Sequence, residues 1–208
     1  MEKLTMKNIY ITAIPLQGQL TKMNYVPQDD IVCDGDIETA FPIIPVIKKT
    51  MDPEVDNKII VVRMKNIDTK QNLELFKEEL RDIGVDPACI TCVELEEDSK
   101  YATGVDMFMK IAREIDDDSD VYACVTFGTK IMSIVITYVL SSIEYLKRNT
   151  VVKSVCYGQV DREKNILKGA RIWEVIGVLR MNELVKTLFE ARFENPMKAL
   201  ENLIKVDK

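Results

Sequence analysis

The stretch Val121-Tyr122-Ala123-Cys124-Val125, continuing through Thr126-Phe127-Gly128-Thr129-Lys130 into the almost uniformly apolar run Ile131 to Leu146, decides the fold. It reads as a short strand that turns through glycine, threonine and lysine into a helix. Gly128 removes a Cβ where the chain must bend, and Thr129 is placed to cap the first turn. The amides of residues 130 to 133 then point outward with the positive end of the helix dipole, and Lys130 adds a full charge beside them. Such an element is an anion receptor at the carboxyl edge of a sheet, suited to a phosphate. Strand-to-helix turns in α/β proteins use the same residues for geometry alone, so the turn by itself leaves a structural role open.

Outward from this turn the same alternation recurs. Apolar and β-branched runs at Asn8 to Ile14, Lys58 to Arg63, Cys89 to Leu95, Val121 to Val125 and Val152 to Tyr157 read as strands. Between them lie helical patterns at Phe41 to Thr50, Thr69 to Ile83, Val105 to Ile115 and Ile131 to Lys147. In the clearest of these, Leu73, Phe76, Leu80 and Ile83 share one face and the helix stops at Gly84. Gln159 to Trp173 reads as a hairpin turning at Arg162 to Asn165, and two amphipathic helices follow, Met181 to Phe193 and Pro196 to Ile204, the second capped by Asn195. The predicted fold is therefore α/β and Rossmann-like, a mostly parallel sheet with helices on both faces plus a C-terminal hairpin and short helices. Ligands of such sheets sit at the carboxyl ends of the strands, which singles out the segment Thr12 to Tyr25 and the turn Thr126 to Lys130. The Ile131 to Leu146 helix carries apolar residues on nearly every side. It is either fully buried or packs a surplus face on a second subunit.

Composition narrows the chemistry. With 208 residues, 47% of them hydrophobic and 30% charged, the chain can bury one full core, so one domain is expected. No apolar run reaches membrane length, and a cytoplasmic protein is expected. The net charge of −6 disfavours binding along a long nucleic acid but leaves a small polyanion open. There is no histidine, which removes Ser-His and Cys-His nucleophile pairs and histidine metal sites together. The odd, scattered set Cys33, Cys89, Cys92, Cys124 and Cys156 reads as reduced core residues, with no metal expected at the isolated Cys89/Cys92 pair. Asp116-Asp117-Asp118-Ser119-Asp120 precedes a strand, at the wrong end for the site, and reads as a solvated loop. No G-x-G-x-x-G turn follows the first strand, Gly18 standing alone there, so a dinucleotide cofactor is not expected. Met181 to Lys208 carries nearly as many acids as bases and offers no DNA-recognition helix.

The sequence resembles the CRISPR-associated Rossmann-fold (CARF) sensors of type III CRISPR systems over roughly residues 7 to 175. The likeness rests on Ile9-Tyr10-Ile11-Thr12-Ala13-Ile14-Pro15 leading to Lys22, Asn24 and Tyr25, on Thr126-Phe127-Gly128-Thr129-Lys130-Ile131-Met132-Ser133, and on Val155-Cys156-Tyr157-Gly158. Phe127 stands where that family usually has a second glycine, either to stack on a base or to tighten the pocket. The resemblance implies a homodimer, or a higher oligomer, that binds a cyclic oligoadenylate of four or six nucleotides across its two-fold axis. Implied ligand-binding residues are Thr12, Ala13, Gln17, Gln19, Lys22, Tyr25, Thr126, Phe127, Gly128, Thr129, Lys130 and Met132. Lys22 and Lys130 would neutralise phosphates, Gln17, Gln19, Thr126 and Thr129 would bond phosphate or ribose oxygens, and Tyr25 or Phe127 would meet adenine faces. Residues 1–175 would form this sensor. Residues 176–208 would be a helical appendage or a linker toward an effector domain or protein outside this sequence, unless the chain is a stand-alone sensor. The alternative is a metal-independent ring nuclease in which Thr12, Thr129 and Lys130 align attack of a ribose 2′-hydroxyl on the adjacent phosphate.

Overall fold

In the computed structural model, which describes residues 6–16, 18–28, 30–65, 67–96, 101–163 and 166–204, β1 (Lys7–Ala13) runs through the middle of the sheet. It pairs in parallel with β4 (Asp56–Met64) on one side and with β6 (Ser119–Cys124) on the other. The remaining strands are β2 (Met23–Pro27), β3 (Glu38–Thr39), β5 (Ile90–Leu95), β7 (Val151–Glu163) and β8 (Ile166–Glu174). Together they form one eight-stranded sheet ordered β3-β2-β8-β7-β6-β1-β4-β5, parallel except for the β7–β8 hairpin and the short β2–β3 pair. The fold is α/β and Rossmann-like, as the alternation of runs predicts.

The helices are α1 (Ile43–Thr50), α2 (Lys70–Asp82), α3 (Tyr101–Glu114), α4 (Lys130–Leu146), α5 (Ile176–Glu190) and α6 (Pro196–Ile204). Because both sheet faces are covered, the central strands are apolar at successive positions rather than alternately. On one face Ile9, Ile11, Val62, Val121 and Val155 meet Met107 and Ile111 of α3, Met132, Val135 and Val139 of α4, and Leu179 of α5. On the other face Tyr10, Ile59, Val61, Cys124 and Ile172 meet Ile44 and Ile47 of α1 and Phe76 and Leu80 of α2.

Several elements depart from the sequence reading. β2 and β3 were not expected; they are short, largely exposed strands whose register comes from neighbours rather than from an apolar repeat. α1 starts two residues later than the pattern suggests, at Ile43. Pro45 then falls in the first turn, where its missing N–H costs no helical bond. α3 begins four residues earlier and α5 five residues earlier than expected, the latter because the Glu174 carboxylate accepts the Ile176 N–H at 2.9 Å. Gly84 closes α2 with φ +82°. The turn residues 164 and 165 of the expected hairpin lie outside the described residues.

The aspartate run is a staple between elements: Asp118, at φ +56°, accepts from Arg148 at 2.8 Å and from Asn149 at 2.9 Å. All five cysteines are free; Cys124 and Cys156 are buried as expected, but Cys92 is exposed on β5, the strand at the sheet edge. Among the described residues no helix is long and apolar enough to cross a membrane.

Candidate functional site

The chain leaves β1 toward one edge of the sheet and leaves β6, its neighbour, into α4 on one face. The carboxyl ends of β1 and β6 are therefore the topological switch point, where departing loops separate and leave a crevice. The two segments selected from sequence meet there. A Cβ on Gly128 would lie 3.1 Å from the Ala13 Cβ and 3.2 Å from the Met132 Sδ. Gly128 also has φ +97°, so the space is tight and the left-handed backbone favours glycine.

At the start of α4 the Thr129 Oγ1 accepts the Met132 N–H at 3.2 Å, and the Thr129 carbonyl accepts the Ser133 N–H at 3.2 Å. Of the amides expected to point outward, those of Lys130 and Ile131 are left at the open end of the helix. Lys130 is exposed and has no charged or hydrogen-bonding partner among the described residues. That leaves a positively charged, unpartnered helix terminus at a strand's carboxyl end.

The other residues divide between lining and support. Thr126 is half-buried, and its Oγ1 accepts the Gly158 N–H at 2.7 Å and lies 3.1 Å from the Cys124 Sγ, so its hydroxyl ties β6 to β7. Thr12 is 1% exposed, with its hydroxyl directed to the Ala13 carbonyl at 3.4 Å. Met132 is fully buried, so its side chain packs beneath the turn. Gln19 is exposed on the loop after β1 and borders two cavities, one of about 320 Å3 against α2 and a small one beside Phe127. Gln17 lies outside the described residues.

Three of the expected contacts are engaged within the fold itself. Tyr25 is 3% exposed, packed beneath Gly158, and burial pushes its phenol up to about 12. Phe127 is half-buried and meets Phe41 edge-on at 6.2 Å between ring centroids, so it wedges between the two cores. With Gln19, Leu20, Tyr25, Val160 and Leu167 it borders a cavity of about 50 Å3. Lys22 is already engaged, 3.7 Å from Glu79 and 3.8 Å from Asp82. Glu79 is 3% exposed and bonded to the Thr39 hydroxyl and the Ala40 N–H; burial pushes its carboxyl up, against the pull of those two donors and Lys22. The loop after β1 is thus held to α2, as the Asn72 Nδ2 bond to the Pro15 carbonyl at 2.8 Å also shows. The sequence carried no sign of this, because Glu79 stands 57 residues after Lys22 in an ordinary amphipathic helix.

α4 leaves a second feature uncovered. Ile131, Ile134, Tyr138 and Tyr145 are between 42% and 67% exposed, and their spacing puts them on one side of the helix. The stripe begins at the anion corner.

Among solved structures the chain is similar to Enterococcus italicus Csm6 bound to cyclic hexa-2′-fluoro-hexa-dAMP. That likeness has 11% sequence identity and a TM-score of 0.46, and it covers 96% of this chain and 54% of that one. The chain thus spans about half the length of that protein. No protein-family model matches the sequence, and no curated protein matches it.

Proposed function

We propose that the protein is a CARF-type sensor that binds a cyclic oligoadenylate in type III CRISPR defence, as a homodimer. The observation that carries the reading is the start of α4. Its first amides and the exposed, unpaired Lys130 lie where β1 and β6 diverge, beside Gly128, whose left-handed backbone favours glycine. A backbone phosphate is the anion that suits this corner, because it takes amide and ammonium donors together and needs no metal.

The exposed stripe of α4 supports the dimer. An isologous contact along it would set two such corners side by side, giving a two-fold ligand two equal seats. Residues 1–175 then form the binding unit and residues 176–208 a helical appendage that carries the signal toward an effector. α5 is fastened for such a role: Arg180 bonds Glu144, near the far end of α4, at 2.7 Å, and the Val152 carbonyl at 2.9 Å.

Binding is favoured over ring cleavage. Of the groups considered for an in-line attack, Thr12 is buried and Thr129 is committed to its cap, leaving Lys130 alone. Calorimetric titration with cyclic tetra-adenylate and cyclic hexa-adenylate, with chromatography of the recovered nucleotide without added metal, tests the assignment. Tight binding of an intact ring is expected; linear products would establish the nuclease, and no binding of either ring would defeat both.

A further inference from the structure

The helices cover only part of the sheet on the α4 side. Beyond them, the second half of β7, together with β8 and β2, exposes a face built from Tyr157, Gln159 and Asp161 on β7, Trp173 and Arg171 on β8, and Val26 on β2. Register puts these residues on one side, since Tyr157 pairs with Trp173, Gln159 with Arg171, and Arg171 with Val26. It is the side of Val155, whose core lies under α4, whereas Cys156 and Ile172 point to the opposite core.

This face is preorganised. The Trp173 Nε1 donates to the Gln159 Oε1 at 3.2 Å, the Gln159 Nε2 donates to the Asp161 Oδ1 at 3.0 Å, and Arg171 donates to the same oxygen at 2.9 Å. The circuit closes where the Arg171 guanidinium lies 5.5 Å from the Trp173 ring centroid. The Arg171 Nε is buried with no acceptor among the described residues. Tyr157 remains 42% exposed at the end nearest the corner, and the next residue, Gly158, donates to Thr126 there.

We infer that this Tyr157–Trp173–Arg171 surface is a nucleobase platform, on which an adenine of the ligand stacks while its phosphate occupies the start of α4. The inference rests on the proposed oligoadenylate reading and adds the residues that recognise the base. Flat aromatic rings and a guanidinium held over one of them are the chemistry that single-stranded bases seek on open sheets. A protein partner is the poorer occupant, because the face carries the carboxylate of Asp161, and Asp is depleted in protein interfaces.

Trp173 is the sole tryptophan of the chain, so its emission reports on this face alone. The full-length protein is titrated with linear hexa-adenylate, with an abasic ribose-phosphate hexamer and with both cyclic adenylates, followed by Trp173 fluorescence and by calorimetry. Adenylates are expected to quench Trp173 and the abasic chain is not. Tyr157→Ala should weaken adenylate binding at least roughly fivefold, with Tyr157→Phe restoring it. Calorimetric binding with Trp173 emission unchanged, or an unaltered affinity in a folded Tyr157→Ala protein, overturns the platform and leaves the sensor standing. Quenching by linear adenylate with no affinity for either ring does the reverse. Silence with every adenylate removes both. A Tyr157→Ala variant whose oligomeric state changes without ligand shows the face to be covered by a second copy, which also overturns the platform.

Discussion

The hydroxyl of Thr126 accepts the backbone N–H of Gly158 at 2.7 Å, so the turn that opens the candidate site is anchored to the strand carrying the exposed Tyr157. No larger residue fits at 158: a Cβ there would lie 2.2 Å from the Pro42 Cγ. Thr126→Val leaves that N–H without its acceptor. It should lower stability by about 1–3 kcal/mol, while Thr126→Ser retains most of it; urea denaturation of the three proteins measures the difference.

Lys130 is exposed at the first position of α4 and supports no part of the fold. Lys130→Ala should leave the melting temperature unchanged and weaken cyclic oligoadenylate binding by roughly tenfold or more, the loss expected for a charged hydrogen bond. Calorimetry on a variant with unaltered thermal unfolding makes the comparison. An unchanged dissociation constant removes Lys130 from the site.

The stripe on α4 gives an oligomerisation test that needs no ligand. Ile134 is 55% exposed and Tyr138 66%, so a charge at either site is harmless to a lone subunit but is trapped in an apolar isologous contact. Ile134→Glu and Tyr138→Lys should sediment as monomers at concentrations where the wild type is a dimer. A wild-type protein that sediments as a monomer excludes the stripe as a standing interface.

At the other end of α4, burial pushes the Glu144 carboxyl up, but the Arg180 guanidinium and the Val152 N–H outweigh it and hold the carboxyl below the ordinary value of 4.5. A depressed carboxylate stabilises the fold above its unfolded pKa, and that contribution is lost as pH falls through the lower native value. Arg180→Ala should therefore cost about 1–2 kcal/mol at neutral pH, discounted for the 39% exposure of the guanidinium. It should also flatten the acid limb of the stability profile below pH 4.5, as read by urea midpoints across that range.

How much of the site was legible follows from what each residue does. Gly128 and Thr129 were readable because turn geometry and capping are local, fixed by neighbours within four residues. The packing of Tyr25, Phe127 and Lys22 was not readable, because each meets a distant residue: the backbone at Gly158, the ring of Phe41 and the carboxylate of Glu79. Tyr157, read from sequence as a strand residue in the CARF-like run Val155 to Gly158 but not as a ligand contact, is exposed where β7 runs on to Glu163 beyond the helices.

The order of apolar runs and punctuating glycines by itself determined an alternating α/β chain, the turn into α4 and the absence of histidine chemistry, since these depend on local backbone preference and composition. The tertiary structure decided which side chains face solvent. It set β6 beside β1 so that their loops diverge, buried Tyr25, tied Lys22 to α2 and left Lys130 and Tyr157 uncovered. Exposure is a property of how strands and helices are ordered across the sheet, and that order is fixed by long-range packing that no local pattern encodes.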